Sequence, residues 1–369
     1  MRFSNFLFPE SATPEHDFTV IHEALQEVEL CDQLGFDTVW LAEHHFDGGC
    51  VYVDPLTFAT AIAARTTRIK IGFAVAQMAL HHPIRLAEQV ALIDNLSRGR
   101  IIVGLGRGTA YNFYEYRGYG IAPQEAEARL LEAEEILSKV WTARDYKHHG
   151  TYWQVELPEL RPQVYQKPHP PVLRACSGLE STLEMARQGR PFLMNIQSNE
   201  VTRQRFDLYR QTMAEAGYDD ETIARTMDNC WAWRNIVVAD TDAEAEAIGV
   251  PAFRRMREHL NNARRRLNAP DEQRPMSAGS PAARDTLEHG LIYGSPATVC
   301  EQLAEIQKIG MGGLILHFRL GPMPWDAAAH SLRLFAEQVM PVIGQHSPNV
   351  ATKDLLGQKL MSPLPLGEG

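Results

Sequence analysis

Residues 69–108 read IKIGFAVAQMALHHPIRLAEQVALIDNLSRGRIIVGLGRG, and this stretch decides the fold. Residues 69–76 are a short apolar run of strand length. Residues 84–96 space their apolar side chains as one face of a helix, and Ser97-Arg98-Gly99 supplies the stop. Residues 101–104 are apolar again, and GLGRG closes the unit as a glycine-rich turn. Strand, helix, strand is the signature of parallel strands joined by a helical crossover.

The same rhythm extends in both directions. Upstream, residues 3–7 read as a strand, and residues 18–34 as a helix with Ile21, Leu25, Val28 and Leu30 on its buried face and Gly35 as its stop. Residues 38–41 form a second strand, and 55–65 the helix that precedes the quoted stretch. Downstream, a Gly- and Tyr-rich loop leads to an acidic helix over 124–141 and a short strand at 172–175. A helix starts near Gly178, a strand spans 192–196, and a helix follows over about 202–216. Strands at 231–238 and 313–317 and a last helix at 327–340 complete the series. A doubly wound open sheet would show the same local signals; the count of eight strands, with a helix after the last, favours a closed (β/α)8 TIM barrel.

Three segments exceed the minimal unit. Residues 145–170 suggest an excursion with a short hairpin. Residues 241–295, between strands seven and eight, are too many for one crossover and read as an inserted helical region with a mobile loop, an active-site cover. Residues 345–369 read as an extended tail, so the expected domain is 1–344.

Composition narrows the function. Hydrophobic residues make up 44% and charged residues 22%, an ordinary globular balance. A net charge of -10 argues against a nucleic-acid or anionic-membrane partner, though not against a local phosphate pocket. No apolar run is long enough to cross a bilayer and no secretory segment is visible. The five cysteines, at 31, 50, 176, 230 and 300, lack metal-binding or disulfide-framework spacing and read as reduced thiols in a cytoplasmic protein.

In a barrel, residues just past the strand C-termini converge on one mouth. That rule selects Glu43, His44 and His45 after strand two, Gln77 and Met78 after strand three, and GLGRG with Arg107 after strand four. It also selects Cys176, Ser177, Gly178 and Ser181 after strand five, Gln197 after strand six, and His317 with Arg319 after strand eight. Adjacent His44 and His45 point in different directions and lack a metal-motif carboxylate, so no metal site is expected; one ring faces the mouth while the other ties down a loop. Arg107 offers a planar fork suited to phosphate, and the helix beginning at Gly178 presents free N–H groups, with Ser181 in its first turn. Cys176 has no partner base in its vicinity and reads as a buried small residue. Trp40 and Phe46 read as packing residues, Tyr111, Phe113, Tyr114 and Tyr116 as an aromatic lining for an apolar substrate, and Arg264, Arg265 and Arg266 as a solvated helix face.

The ordered blocks MRFSNFLF, GFDTVWLAEHHF, HHPIRLAEQVALIDNLSRGR, VGLGRG and SLRLFAEQVMP resemble the bacterial luciferase-like, flavin-dependent monooxygenase family. The resemblance covers about residues 1–240 and 290–342. It implies a (β/α)8 barrel, commonly a homodimer, taking reduced FMN as co-substrate from a separate NAD(P)H-dependent flavin reductase. Molecular oxygen would then oxidise a small, largely apolar organic substrate through a flavin C4a-peroxide. His44 matches the catalytic histidine of the EHHF block. The family's non-proline cis peptide falls at Ala74-Val75, beneath the flavin ring. Arg107 and Arg129 match phosphate-binding arginines, and the phosphate-binding turn falls on Ser177, Gly178 and Ser181 beside Cys176. Two positions depart from the light-emitting members: Gly106 replaces a cysteine and Ser177 a carboxylate. An F420-dependent hydride-transfer oxidoreductase and a non-catalytic flavin-binding protein are the alternatives.

Overall fold

In the computed structural model, residues 1–109, 111–272 and 282–344 are described. The tail at 345–369 and the middle of the 241–295 segment lie outside the described residues.

The strands in chain order are β1 (Arg2–Leu7), β2 (Thr38–Leu41), β3 (Lys70–Phe73), β4 (Ala76–Gln77), β5 (Ile101–Gly106), β6 (Arg144–His149), β7 (Gln154–Glu159), β8 (Val172–Cys176), β9 (Phe192–Met194), β10 (Trp231–Val238), β11 (Leu291–Gly294) and β12 (Gly313–His317). Eight of them, β1, β2, β3, β5, β8, β9, β10 and β12, pair in parallel, and the contacts of β10 with β9 and of β12 with β1 close the sheet on itself. The expected closed barrel is therefore formed, with all eight strands at the expected segments.

Helices cover its outside: α1 (Asp17–Leu34), α2 (Pro55–Arg65), α3 (Pro83–Ser97), the short α4 (Phe113–Gly118), α5 (Ala126–Val140), α6 (Leu179–Arg187), α7 (Asn199–Glu215), α8 (Asp220–Asp228), α9 (Asp242–Leu267), α10 (Leu287–Gly290), α11 (Pro296–Gln307) and α12 (Trp325–Leu334). Gly35, at φ 84°, ends α1 in the left-handed conformation that a side chain disfavours. No described helix is long and apolar enough to cross a membrane.

The lumen is filled by indoles. Trp40 and Trp231 are buried and meet edge to face at 5.4 Å between centroids. Trp40 Nε1 donates to Ser4 Oγ at 2.9 Å, which in turn donates to the Leu314 carbonyl, so the one polar atom of that ring is paired. Both indoles lie against glycine. A Cβ at Gly72 would sit 2.3 Å from Trp40, and one at Gly313 2.2 Å from Trp231.

The excursion after α5 is the expected hairpin, formed by antiparallel β6 and β7. The Glu132 carboxylate of α5 holds its tip by accepting from the backbone N–H groups of Thr151, Tyr152 and Trp153 at 2.9–3.0 Å. The segment between strands seven and eight carries more than helix: β11 pairs with residues 235–238 of β10, continuing the edge that β9 leaves after Ala232. The barrel wall thus has an extra strand at its mouth.

Replacing Gly313 with alanine forces Trp231 off its position in a filled lumen. Overpacking of this kind costs about 1–3 kcal/mol; urea unfolding of Gly313→Ala is expected to show a lower midpoint with an unchanged slope.

Candidate active site

The mouth is organised by two buried carboxylates. Glu115, on the inner side of α4, is fully buried and accepts from His44 Nδ1 at 2.9 Å, the His45 backbone N–H at 3.1 Å, Asn112 Nδ2 at 3.3 Å and Gln77 Nε2 at 3.2 Å. Burial opposes its charge, but His44 and these donors outweigh burial and hold the carboxyl below its ordinary range. Glu43 is similarly enclosed, by His81 Nε2 at 2.8 Å, His45 Nε2 at 3.2 Å and the Gln77 backbone N–H at 2.6 Å. Against the penalty of burial, His81 and the other donors bring it down to about 2.

These contacts divide the work of the adjacent histidines as the sequence suggests. His45 is buried between Glu43 and the Tyr119 hydroxyl and fixes the loop. His44 keeps 21% of its side chain exposed, with Nδ1 bound to Glu115. A carboxylate only accepts, so Nδ1 carries a proton and Nε2 is left for the mouth. Burial would lower the His44 pKa, but the Glu115 charge and hydrogen bond raise it above the usual value.

Beside this loop the Ala74-Val75 peptide is cis, at the place the family blocks indicate. Val75 packs on Gly106 so closely that a Cβ there would lie 2.6 Å from its Cγ2. The expected anion-binding groups fall on three neighbouring elements. Arg107 extends from the end of β5 to Glu127 in the first turn of α5, at 3.3 Å, and remains 42% exposed. Arg129, in the same helix, pairs with Glu125 and lies over the Tyr152 ring at 4.6 Å. Gly178 is the N-cap of α6, with no side-chain cap and open space where a Cβ would stand. Ser181 Oγ donates back to the Gly178 carbonyl at 3.0 Å, and Arg205 donates to the Ser177 carbonyl. Cys176 is buried, and burial pushes its thiol up to about 11, in keeping with a packing role.

Several expectations change. Glu115, the partner that sets His44, has no motif of its own: it lies among FYEY, where only the fold shows which side chains turn inward. Arg264 is not part of a solvated face. It donates to Asn112 Oδ1 at 2.9 Å and lies over Tyr111, while Arg265 and Arg266 are exposed. Phe46 is 58% exposed at φ 72°, against Tyr119, rather than packed in the core. Tyr114 and Tyr116 are buried, and Tyr114 donates to Asp47 at 2.8 Å. The helix α9 reaches across the mouth: His259 contacts the Asp47 carbonyl and Glu10, and Asn268 bonds Tyr111 and Tyr114. Glu10, buried beside Asp47, is raised to about 7.

Comparison with known proteins agrees with this architecture. Residues 1–312 match the model of the luciferase-like monooxygenase family. The chain is similar to limonene 1,2-monooxygenase of Rhodococcus erythropolis, 27% identical over 92% of this chain and 86% of that protein. It is also similar to the oxygenase component of the flavin-dependent trigonelline monooxygenase of Acinetobacter baylyi, 30% identical over 47% of this chain and 48% of that one. The crystal structure of the monooxygenase RslO1 from Streptomyces bottropensis superposes with a TM-score of 0.79, at 29% identity, covering 92% of this chain and 99% of that chain. With a closed parallel barrel, a carboxylate-bound histidine at its mouth and a family match over most of its length, the chain belongs to the luciferase-like monooxygenases and is a flavin-dependent enzyme of that family.

Proposed function

We propose that the barrel mouth oxygenates a small, largely apolar organic molecule with reduced FMN and molecular oxygen. The observation that carries this reading is His44, held by a buried Glu115 and still partly exposed, on the loop beside the Ala74-Val75 peptide. FMN fits these residues in two respects. Gly106, lacking a side chain, lies against Val75 and leaves a low surface for a flat ring. The uncapped start of α6, with Gly178 open beside it, and the exposed fork of Arg107 suit a terminal phosphate.

Reduced FMN, when bound, supplies the electrons that activate oxygen, so that one oxygen atom enters the substrate and the other leaves as water. The chain's own residues position and protect. His44 keeps a proton on Nδ1 and presents Nε2 to the reacting oxygen, as a hydrogen-bond partner that takes up or returns a proton. Glu115 is its positioning residue, fixing ring orientation and tautomer. Arg107, Ser177, Gly178 and Ser181 would hold the phosphate, with Arg129, paired to Glu125 at the start of α5, as a second cation. The α9 helix, joined to the loops after β1, β2 and β5, covers the mouth and limits water.

A separate NAD(P)H-dependent reductase delivers the reduced flavin, a division in keeping with the oxygenase component among its relatives. The chain works as a homodimer in the cytoplasm; exposed Leu92 and Leu96 on α3 and five free cysteines are consistent with this.

Anaerobic binding of reduced FMN followed by stopped-flow mixing with oxygen tests the reading. A transient absorbing species distinct from reduced and oxidised flavin is expected, and its absence in flavin-loaded protein would sink the oxygenase assignment. Arg107→Ala should weaken FMN roughly 10-fold or more, the scale of a lost charged hydrogen bond, and leave riboflavin unchanged. His44→Ala should keep flavin affinity but release hydrogen peroxide in place of product. Glu115 raises the His44 pKa, so Glu115→Gln should move the His44 titration, followed by ring-proton NMR, to lower pH.

A further inference from the structure

Among the described residues, Trp233 and His317 each have a buried ring nitrogen without a hydrogen-bond partner. The pairing of Trp231 with Gly313 and Asn235 with His317 places Trp233 and His317 on the lumen face, in line with the Trp231 indole. Trp233 Nε1 and His317 Nε2 are closed to solvent and make no hydrogen bond among the described residues. Aromatic rings surround them. Phe6 lies 4.7 Å from Trp233 and 5.5 Å from His317, and the latter two are 6.5 Å apart, between centroids. Phe8 stands edge-on to His317 at 6.1 Å and to His44 at 5.4 Å, so one ring links the pair to His44. Apolar side chains would fill this place without an unmet bond; a buried orphaned pair is reasonable where a ligand completes it.

Neighbouring groups set which atom donates. Asn235 Nδ2 donates to the Gly290 carbonyl at 2.6 Å, which leaves its Oδ1 facing His317 Nδ1 at 3.3 Å. Nδ1 therefore carries the proton and Nε2 presents a lone pair. Burial pushes His317 down to about 3, so the ring is neutral at physiological pH. Trp233 Nε1 only donates. One donor and one acceptor on neighbouring rings, 6.5 Å apart between centroids, suit a group that accepts and donates through one atom. A hydroxyl does so. A ketone oxygen satisfies only the indole, and a hydrocarbon neither.

We propose that Trp233 and His317 form a hydroxyl-binding subsite, and that the molecule oxidised is an alcohol, phenol or enol on an otherwise apolar body. The link to oxidation rests on the monooxygenase reading; recognition of the hydroxyl does not.

The test is therefore binding without turnover. Protein loaded with oxidised FMN is titrated under nitrogen, by tryptophan fluorescence, with matched aromatic and alicyclic probes. Each set holds a hydroxyl compound and its methyl counterpart, with the ketone added for the alcohol: 4-isopropylphenol with 4-isopropyltoluene, and 4-methylcyclohexanol with 1,4-dimethylcyclohexane and 4-methylcyclohexanone. At least one hydroxyl compound should bind roughly 10-fold or more tightly than its counterparts, as expected where a missing group strands buried polar atoms. Trp233→Phe and His317→Leu should each bring that preference within about threefold, with the methyl compound unchanged. Trp233→Phe removes an unpaired buried atom, so its thermal unfolding should match or exceed that of the parent; His317→Leu also strands Asn235 Oδ1, so its unfolding should fall somewhat below. If no hydroxyl compound outbinds its methyl counterpart, or if both variants keep the preference, the proposal falls. Loss of FMN affinity in the variants would overturn it too, by assigning the pair to the flavin. Oxygen uptake with reduced FMN is recorded separately; its failure strikes the monooxygenase reading and leaves the binding result standing.

Discussion

A carboxylate shut away from water remains charged only if donors surround it, and the mouth of this barrel is built around two such groups. Glu115 gathers the loop after β2, Gln77 of β4 and Asn112 before α4 onto one side chain. Glu43 draws in His45, His81 and the Gln77 backbone. Loops that would otherwise move independently are therefore fastened to one another by charge-assisted bonds in a dry setting, where such bonds are strong. The orientation of His44 follows from this arrangement.

The barrel was legible because its strands are short apolar runs at crossover spacing, and because glycine marks the ends of helices such as α1. The β11 strand was not. Its four residues, LIYG, pair only with the far half of β10, and no local period separates so short a run from the start of a helix. His44 could be found from its place past β2, and the cis peptide at Ala74-Val75 from the resemblance of the surrounding blocks. Glu115 could not, since a lone acid among tyrosines carries no signal until α4 is folded against the mouth. Arg264 misled for a related reason: its partner, Asn112, is 152 residues away, and a run of three arginines looks solvated until the helix is docked.

The two sides of the mouth differ in chemistry. The side made by β3, β5 and α6 offers backbone surface, small residues and anion-holding groups, suited to a cofactor whose shape does not vary. The side made by β1, β10 and β12 offers Phe6, Phe8, Trp233 and His317, a set of rings with few polar atoms. His44 stands where they meet, bonded to Glu115 and edge-on to Phe8.

The β11 strand gives this division a mechanical aspect. Because β9 accompanies β10 only through Ala232 and β11 takes over from Asn235, the wall bearing Trp233 is hinged to a different neighbour above and below. Insertions or deletions around β11 can reshape the chamber's far wall without disturbing the register of the ring beneath it. The fold thus contains a replaceable panel, and relatives that accept differently shaped molecules are expected to differ most at this panel and least in the strands proposed to carry the flavin.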